Sequence, residues 1–94
     1  MTNKAIHLAV MRQLFIESGE INERIHSGDI CSSKTGLPVA RKLCDRYEKI
    51  LRAEKCENVS IEPYIAYGGW IGLTYNYDFE TEPFFGSLVV RTLA

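Results

Sequence analysis

Residues 59–77 read VSIEPYIAYGGWIGLTYNY, and the way this stretch folds back on itself decides the architecture. Two alternating runs flank Gly68-Gly69. Val59, Ile61, Pro63 and Ile65 alternate with Ser60, Glu62 and Tyr64. Ile71, Leu73, Tyr75 and Tyr77 alternate with Gly72, Thr74 and Asn76. A period of two marks a strand with one buried face. A two-residue Gly68-Gly69 turn would set Ile65 opposite Gly72 and Ile61 opposite Asn76, apolar against polar. A three-residue loop, Tyr67-Gly68-Gly69, sets Ile65 opposite Ile71, Pro63 opposite Leu73, Ile61 opposite Tyr75 and Val59 opposite Tyr77. One face is then uniformly apolar, as burial requires. Gly69 supplies the left-handed residue such a loop needs. Pro63 brings no N–H to a ladder, so the first strand is predicted at a sheet edge. Tyr75 and Tyr77 fall on the apolar face. Tyr67 and Trp70 flank the turn, where they can form an exposed aromatic patch.

Working outward, residues 78–83, DFETEP, read as a connection. Phe84 to Leu93 read as a third strand with Leu88, Val89 and Val90 at its centre. That apolar run is continuous, which fits a strand buried on both sides. If it is an edge instead, a homodimer through the sheet is left open.

Toward the N-terminus the period changes to about 3.6. Residues 3–18 read as a helix capped by Thr2 or Asn3, with Ile6, Val10 and Leu14 as its stripe, widened by Leu8, Met11 and Phe15. Gly19 is a stop signal. Ile21 and Ile25 then mark either a continuation to about His26 or a separate turn. Residues 27–38, SGDICSSKTGLP, are dense in turn formers and read as a loop. A second helix follows, with Thr35 as N-cap and Pro38 in its first turn, fading near Lys55. Ala40, Leu43, Cys44, Tyr47, Ile50 and Leu51 share its apolar face. The expected fold is α+β in one domain over residues 1–94, with a helical half at 1–56 and a strand half at 57–94. Two to three helices pack on one face of a three-stranded antiparallel sheet, in the order ααβββ.

Composition narrows function by exclusion. Hydrophobic content of 46% supports a core and argues against disorder. No run is long enough to span a membrane, and the N-terminus lacks the order of a signal peptide. Cys31, Cys44 and Cys56 are widely spaced and odd in number, so neither a disulfide framework nor a zinc site is expected. A reducing, cytoplasmic setting follows, with no cofactor and no metal. The net charge of −1 hides a split. Residues 1–55 carry ten Lys/Arg and seven Asp/Glu, whereas 56–94 carry one and five. A basic helical half and an acidic strand half can orient the protein on a charged partner.

Motifs for catalysis are weak. Gly28 to Thr35, GDICSSKT, looks like a phosphate loop, but Ser33 stands where close approach of backbone to phosphate demands glycine. There is no GxSxG and no HExxH. His7 lies beside the apolar stripe, where a structural role is expected. A cleft around His26, Cys31 and Lys34 would be needed for an enzyme, and none is expected. Residues 31–50 fit a helix-turn-helix loosely, with Arg41, Lys42 and Arg46 on the second helix and a following hairpin as a wing. Lys42, Arg46 and Lys49 form a basic stripe, which Lys34 extends. The stripe suits phosphates or an acidic protein surface. Exposed Tyr67 and Trp70 suit protein contact, since such rings anchor interfaces.

The reading is therefore a non-enzymatic interaction module. It would bind, and inhibit or modulate, a larger protein or nucleoprotein complex through Lys34, Lys42, Arg46, Lys49, Tyr67 and Trp70. Small phage inhibitors of host machines, anti-CRISPR proteins among them, are comparable in size class only. The alternative is a winged-helix-like regulator contacting DNA directly through the basic helix 37–55.

Overall fold

The computed structural model describes residues 3–28 and 33–91. Thr2 and Cys31 lie outside them. Two helices, α1 (Asn3–Ser27) and α2 (Ser33–Ala53), precede three strands, β1 (Glu57–Ile65), β2 (Ile71–Phe79) and β3 (Glu82–Leu88). The sheet is antiparallel with β2 at its centre, so Pro63 does lie on an edge strand.

The β1–β2 hairpin has the expected register near its turn. Ile65 pairs with Ile71, Pro63 with Leu73 and Ile61 with Tyr75. Ala66 N–H donates to the Trp70 carbonyl at 2.7 Å, which leaves Tyr67-Gly68-Gly69 as the loop. Gly68 and Gly69 both have positive φ, 85° and 81°, where a side chain would be strained. The expected pairing of Val59 with Tyr77 does not occur. A bulge between Glu57 and Ser60 shifts the register, with Asn58 in the left-handed region and its Nδ2 donating to Asp78 Oδ2 at 2.8 Å.

The second hairpin departs from expectation. Asp78 and Phe79 end β2, and Glu82 and Pro83 begin β3, so the connection shrinks to Glu80-Thr81. Both residues take positive φ, 51° and 69°, the conformation of a type I′ turn. Neither is a residue that favours it, which hides the turn from the sequence.

The third strand stops at Leu88, short of the expected Leu93. Its register sets Leu73 against Leu88, so Ile71 would next face Val90. Asn22 of α1 occupies that rung. Its Oδ1 accepts from Ile71 N–H at 2.7 Å, and its Nδ2 donates to the carbonyls of Ile71 and Val90 at 2.9 and 2.8 Å. A helix side chain thus takes the place of a strand, and Val89 and Val90 leave the sheet.

α1 runs unbroken through Gly19, so the described residues form two helices. Glycine costs a helix about 1 kcal/mol. Buried Ile21, Asn22 and half-buried Ile25 beyond it supply tertiary contacts that outweigh this. Leu8, expected on the buried stripe, is exposed. The buried stripe instead mixes Met11, Leu14 and Ile21 with His7, Ser18 and Asn22. His7 lies in an aromatic cage, stacked on Phe79 at 4.4 Å, edge-on to Phe84, and hydrogen-bonded through Nδ1 to the Tyr77 hydroxyl at 3.1 Å.

α2 starts at Ser33, two residues before the expected cap Thr35. Gly36 and Pro38 fall in its first two turns, where the i→i−4 ladder is only beginning and breakers disrupt least. Ala40, Leu43, Cys44, Tyr47 and Leu51 are buried, as their spacing predicts. The helix ends in a Schellman motif. Lys55 N–H bonds the Arg52 carbonyl and Cys56 N–H the Leu51 carbonyl, with Lys55 at φ 68°. α2 covers β1 and part of β2, while α1 lies along β2 with His7 at one end of the strand and Asn22 at the other. The fully buried Leu14, Leu51, Ile61, Ile71 and Leu73 carry the core, each contributing roughly 1.5–3 kcal/mol of transfer free energy.

Candidate interaction surface

α1 and α2 are antiparallel neighbours. Glu17 meets Arg46 and Tyr47, and Ile21, a turn further along α1, lies beside Val39 and Leu43, earlier in α2. Between the two helices runs a groove of about 570 Å³ with Ile21, Val39 and Leu43 as its apolar floor. Glu17, Glu20, Arg24, Lys42 and Arg46 line its rim.

The rim charges are not equivalent. Arg46 donates to Glu17 Oε1 at 2.7 Å, and the Tyr47 hydroxyl donates to the other oxygen, Oε2. The bond to Glu17 pushes the exposed Arg46 guanidinium further toward its protonated form. Burial and then the same carboxylate push the Tyr47 hydroxyl up to about 12. Glu17 is therefore committed to holding the helices together, and Arg46 is already partnered. Arg24 and Lys42 have no ion pair among the described residues. They are the uncommitted cations of the groove.

The remaining expected site residues are dispersed. Lys34 is exposed at the start of α2. Lys49 is exposed beside Asp45, Glu48 and Arg52, two acids and two bases, with Arg52 bonded to Glu48 at 3.1 Å. At the helical rise of about 1.5 Å, Lys34 and Lys49 lie roughly 22 Å apart. The stripe is thus divided into a groove portion, Lys42 and Arg46, and a charge-balanced outer portion around Lys49.

The hairpin rings separate in the same way. Tyr67 is 98% exposed at the tip. Trp70 is half-buried, stacked on His26 with centroids 3.6 Å apart, and Arg91 lies 5.8 Å from its ring. It fastens the end of α1 and the departing C-terminal segment to the hairpin. Tyr64 covers Gly72, where a Cβ would meet its ring at 2.3 Å, and shares a hydrogen bond with Ser87 at 2.8 Å. Tyr75 covers Gly86 on the opposite face in the same manner. Most of the tyrosine cluster is therefore cross-strand packing.

The two described thiols, Cys44 and Cys56, are buried. Desolvation pushes Cys44 up to about 12 and raises Cys56, which keeps both as unreactive thiols near neutral pH. No group of three His, Cys, Asp or Glu suited to a metal occurs among the described residues. No described helix is long and apolar enough to cross a membrane.

Arg24 was missed by sequence reasoning, because only the antiparallel packing sets it opposite Lys42. Asn22 was missed for a similar reason, since nothing local marks it as a partner of Ile71. No protein-family model matches this chain, and no curated protein or solved structure matches it.

Proposed function

We propose that the protein is a non-enzymatic interaction module that binds and modulates a larger protein or nucleoprotein complex through the α1–α2 groove. The observation that carries this reading is the apolar floor of Ile21, Val39 and Leu43 flanked by the unpaired cations Arg24 and Lys42. An acidic amphipathic segment of a partner fits it, with apolar side chains on the floor and carboxylates on Arg24 and Lys42. Tyr67 and Lys34 are both exposed and, in this reading, are further contacts outside the groove. The setting we propose is cytoplasmic, in keeping with two buried free cysteines.

The test is affinity capture with tagged protein from a native lysate, with and without nuclease, using wild type, Arg24→Glu/Lys42→Glu and Lys49→Glu. The expected result is a stoichiometric protein partner that survives nuclease, persists with Lys49→Glu and is lost with the double variant. Retention by the double variant would remove the groove from the interface. Recovery that collapses with nuclease would favour direct nucleic-acid contact through α2.

A further inference from the structure

The two edges of the sheet are treated differently. β1 is guarded by Pro63 toward its end, by the bulge at Glu57–Ser60, and by Arg52, whose guanidinium donates to the Val59 carbonyl at 3.3 Å. β3 has one proline, Pro83, near its start, no bulge against β2, and no charged residue from Pro83 to Leu88. Among the described residues no further strand lies beyond it.

The direction of its free backbone groups follows from the ladder. Ala66 and Trp70 are hydrogen-bonded to each other, so even-numbered residues bond between β1 and β2. Odd-numbered residues of β2 then face β3, consistent with Ile71 turning its N–H and C=O to Asn22. Through the register they meet even-numbered residues of β3. Pro83, Phe85 and Ser87 therefore turn their backbone groups outward. Pro83 sits where its missing N–H leaves the native ladder intact. Phe85 projects from the face of the sheet away from the helices and is 72% exposed.

We propose that β3 pairs antiparallel with β3 of a second copy, about a two-fold axis at Phe85, to give a continuous six-stranded sheet. The strand is self-complementary in that register, as an isologous interface requires. Phe85 faces Phe85 and the two exchange both backbone bonds. Ser87 N–H of each copy donates to the Pro83 carbonyl of the other, while Pro83 returns no N–H, so each Ser87 carbonyl keeps water as its partner. The exposed rings become a cross-strand aromatic pair. On the helix side, exposed Leu8 shares a stripe with Phe15, which touches Tyr75 and lies on the side of α1 away from Glu17 and α2. Pairing leaves both α1–α2 grooves open, so it stands independently of the function proposed above.

Sedimentation equilibrium of the wild-type chain from micromolar to millimolar concentration, with hydrogen exchange at both extremes, tests this. A dimer is expected, in which the Phe85 and Ser87 amides become protected. Phe85→Lys is expected to weaken it by roughly 10-fold, through loss of the ring pair and apposition of like charges. Ser87→Pro removes an outward N–H without touching the β2–β3 ladder and is expected to act in the same direction. A wild-type monomer at millimolar concentration would overturn the proposal. So would a dimer that both folded variants leave intact, or one without protection at Phe85 and Ser87.

Discussion

The two hairpins share β2 but are closed by different means. β1–β2 turns through Gly68 and Gly69, residues that adopt positive φ without a Cβ penalty. β2–β3 turns through Glu80 and Thr81, which pay that penalty, one of them β-branched. The first hairpin is closed by turn chemistry that agrees with its strands. The second is held by what surrounds it. Phe84 stacks on Tyr77 at 5.4 Å and meets His7, and Asn22 ties Ile71 to Val90 where the strands part. Local preference and tertiary contact can therefore substitute for one another within a single three-stranded sheet.

The largest expected effect strikes the second hairpin from the helix side. Asn22→Ala leaves the Ile71 N–H, the Ile71 carbonyl and the Val90 carbonyl without their partner. Buried groups left unsatisfied cost about 1–3 kcal/mol apiece before relaxation, so a net loss of roughly 3 kcal/mol is expected in urea unfolding. A loss below about 1 kcal/mol would mean that β3 simply zips on to Val90 and that the tie is dispensable.

Turn exchange should show opposite signs at the two loops. Gly69→Ala is expected to destabilise by about 1–2 kcal/mol, and Thr81→Gly to stabilise by up to about 1 kcal/mol. Lys55→Gly, at the end of α2, should behave like Thr81→Gly. Equal signs at Gly69 and Thr81 in thermal or urea melts would erase the distinction drawn between the hairpins.

The smallest effect concerns the helix layer beneath which both hairpins sit. Cys44 and Tyr47 are each raised to about 12 from ordinary values of 9.0 and 10.0. Burial also raises Tyr77. Raised values mean that the folded chain holds these protons more tightly than the unfolded one. Their contribution is complete below the unfolded values and is lost as pH climbs through the folded ones. Stability should therefore be insensitive to these groups up to about pH 9 and fall from there toward 12, and Tyr47→Phe should flatten the upper part of that fall. An unchanged profile in Tyr47→Phe would show that Tyr47 titrates alike in both states.

The legible parts of the fold are those in which neighbours in sequence are neighbours in space. The apolar face of α2, the alternation in β1 and β2, and the register set by Gly68-Gly69 follow from spacing and turn chemistry alone. So does the edge position of β1, because Pro63 carries its own restriction. The candidate site was legible only as a list of exposed cations and rings. Lys42 and Arg46 do line one groove. The sequence did not show that Glu17 already engages Arg46, that acids balance Lys49, or that His26 and Arg91 pack on Trp70.

Spacing and turn chemistry thus determine which residues are helical or extended and which faces are buried, since those preferences act over a few residues. Tertiary structure alone decided where β3 ends, why α1 passes through Gly19, and which cations remain free. Each depends on a partner dozens of residues away, such as Asn22 for Ile71 and Glu17 for Arg46. Contacts that distant leave no periodicity along the chain, and they carry enough free energy to override the local preferences that do.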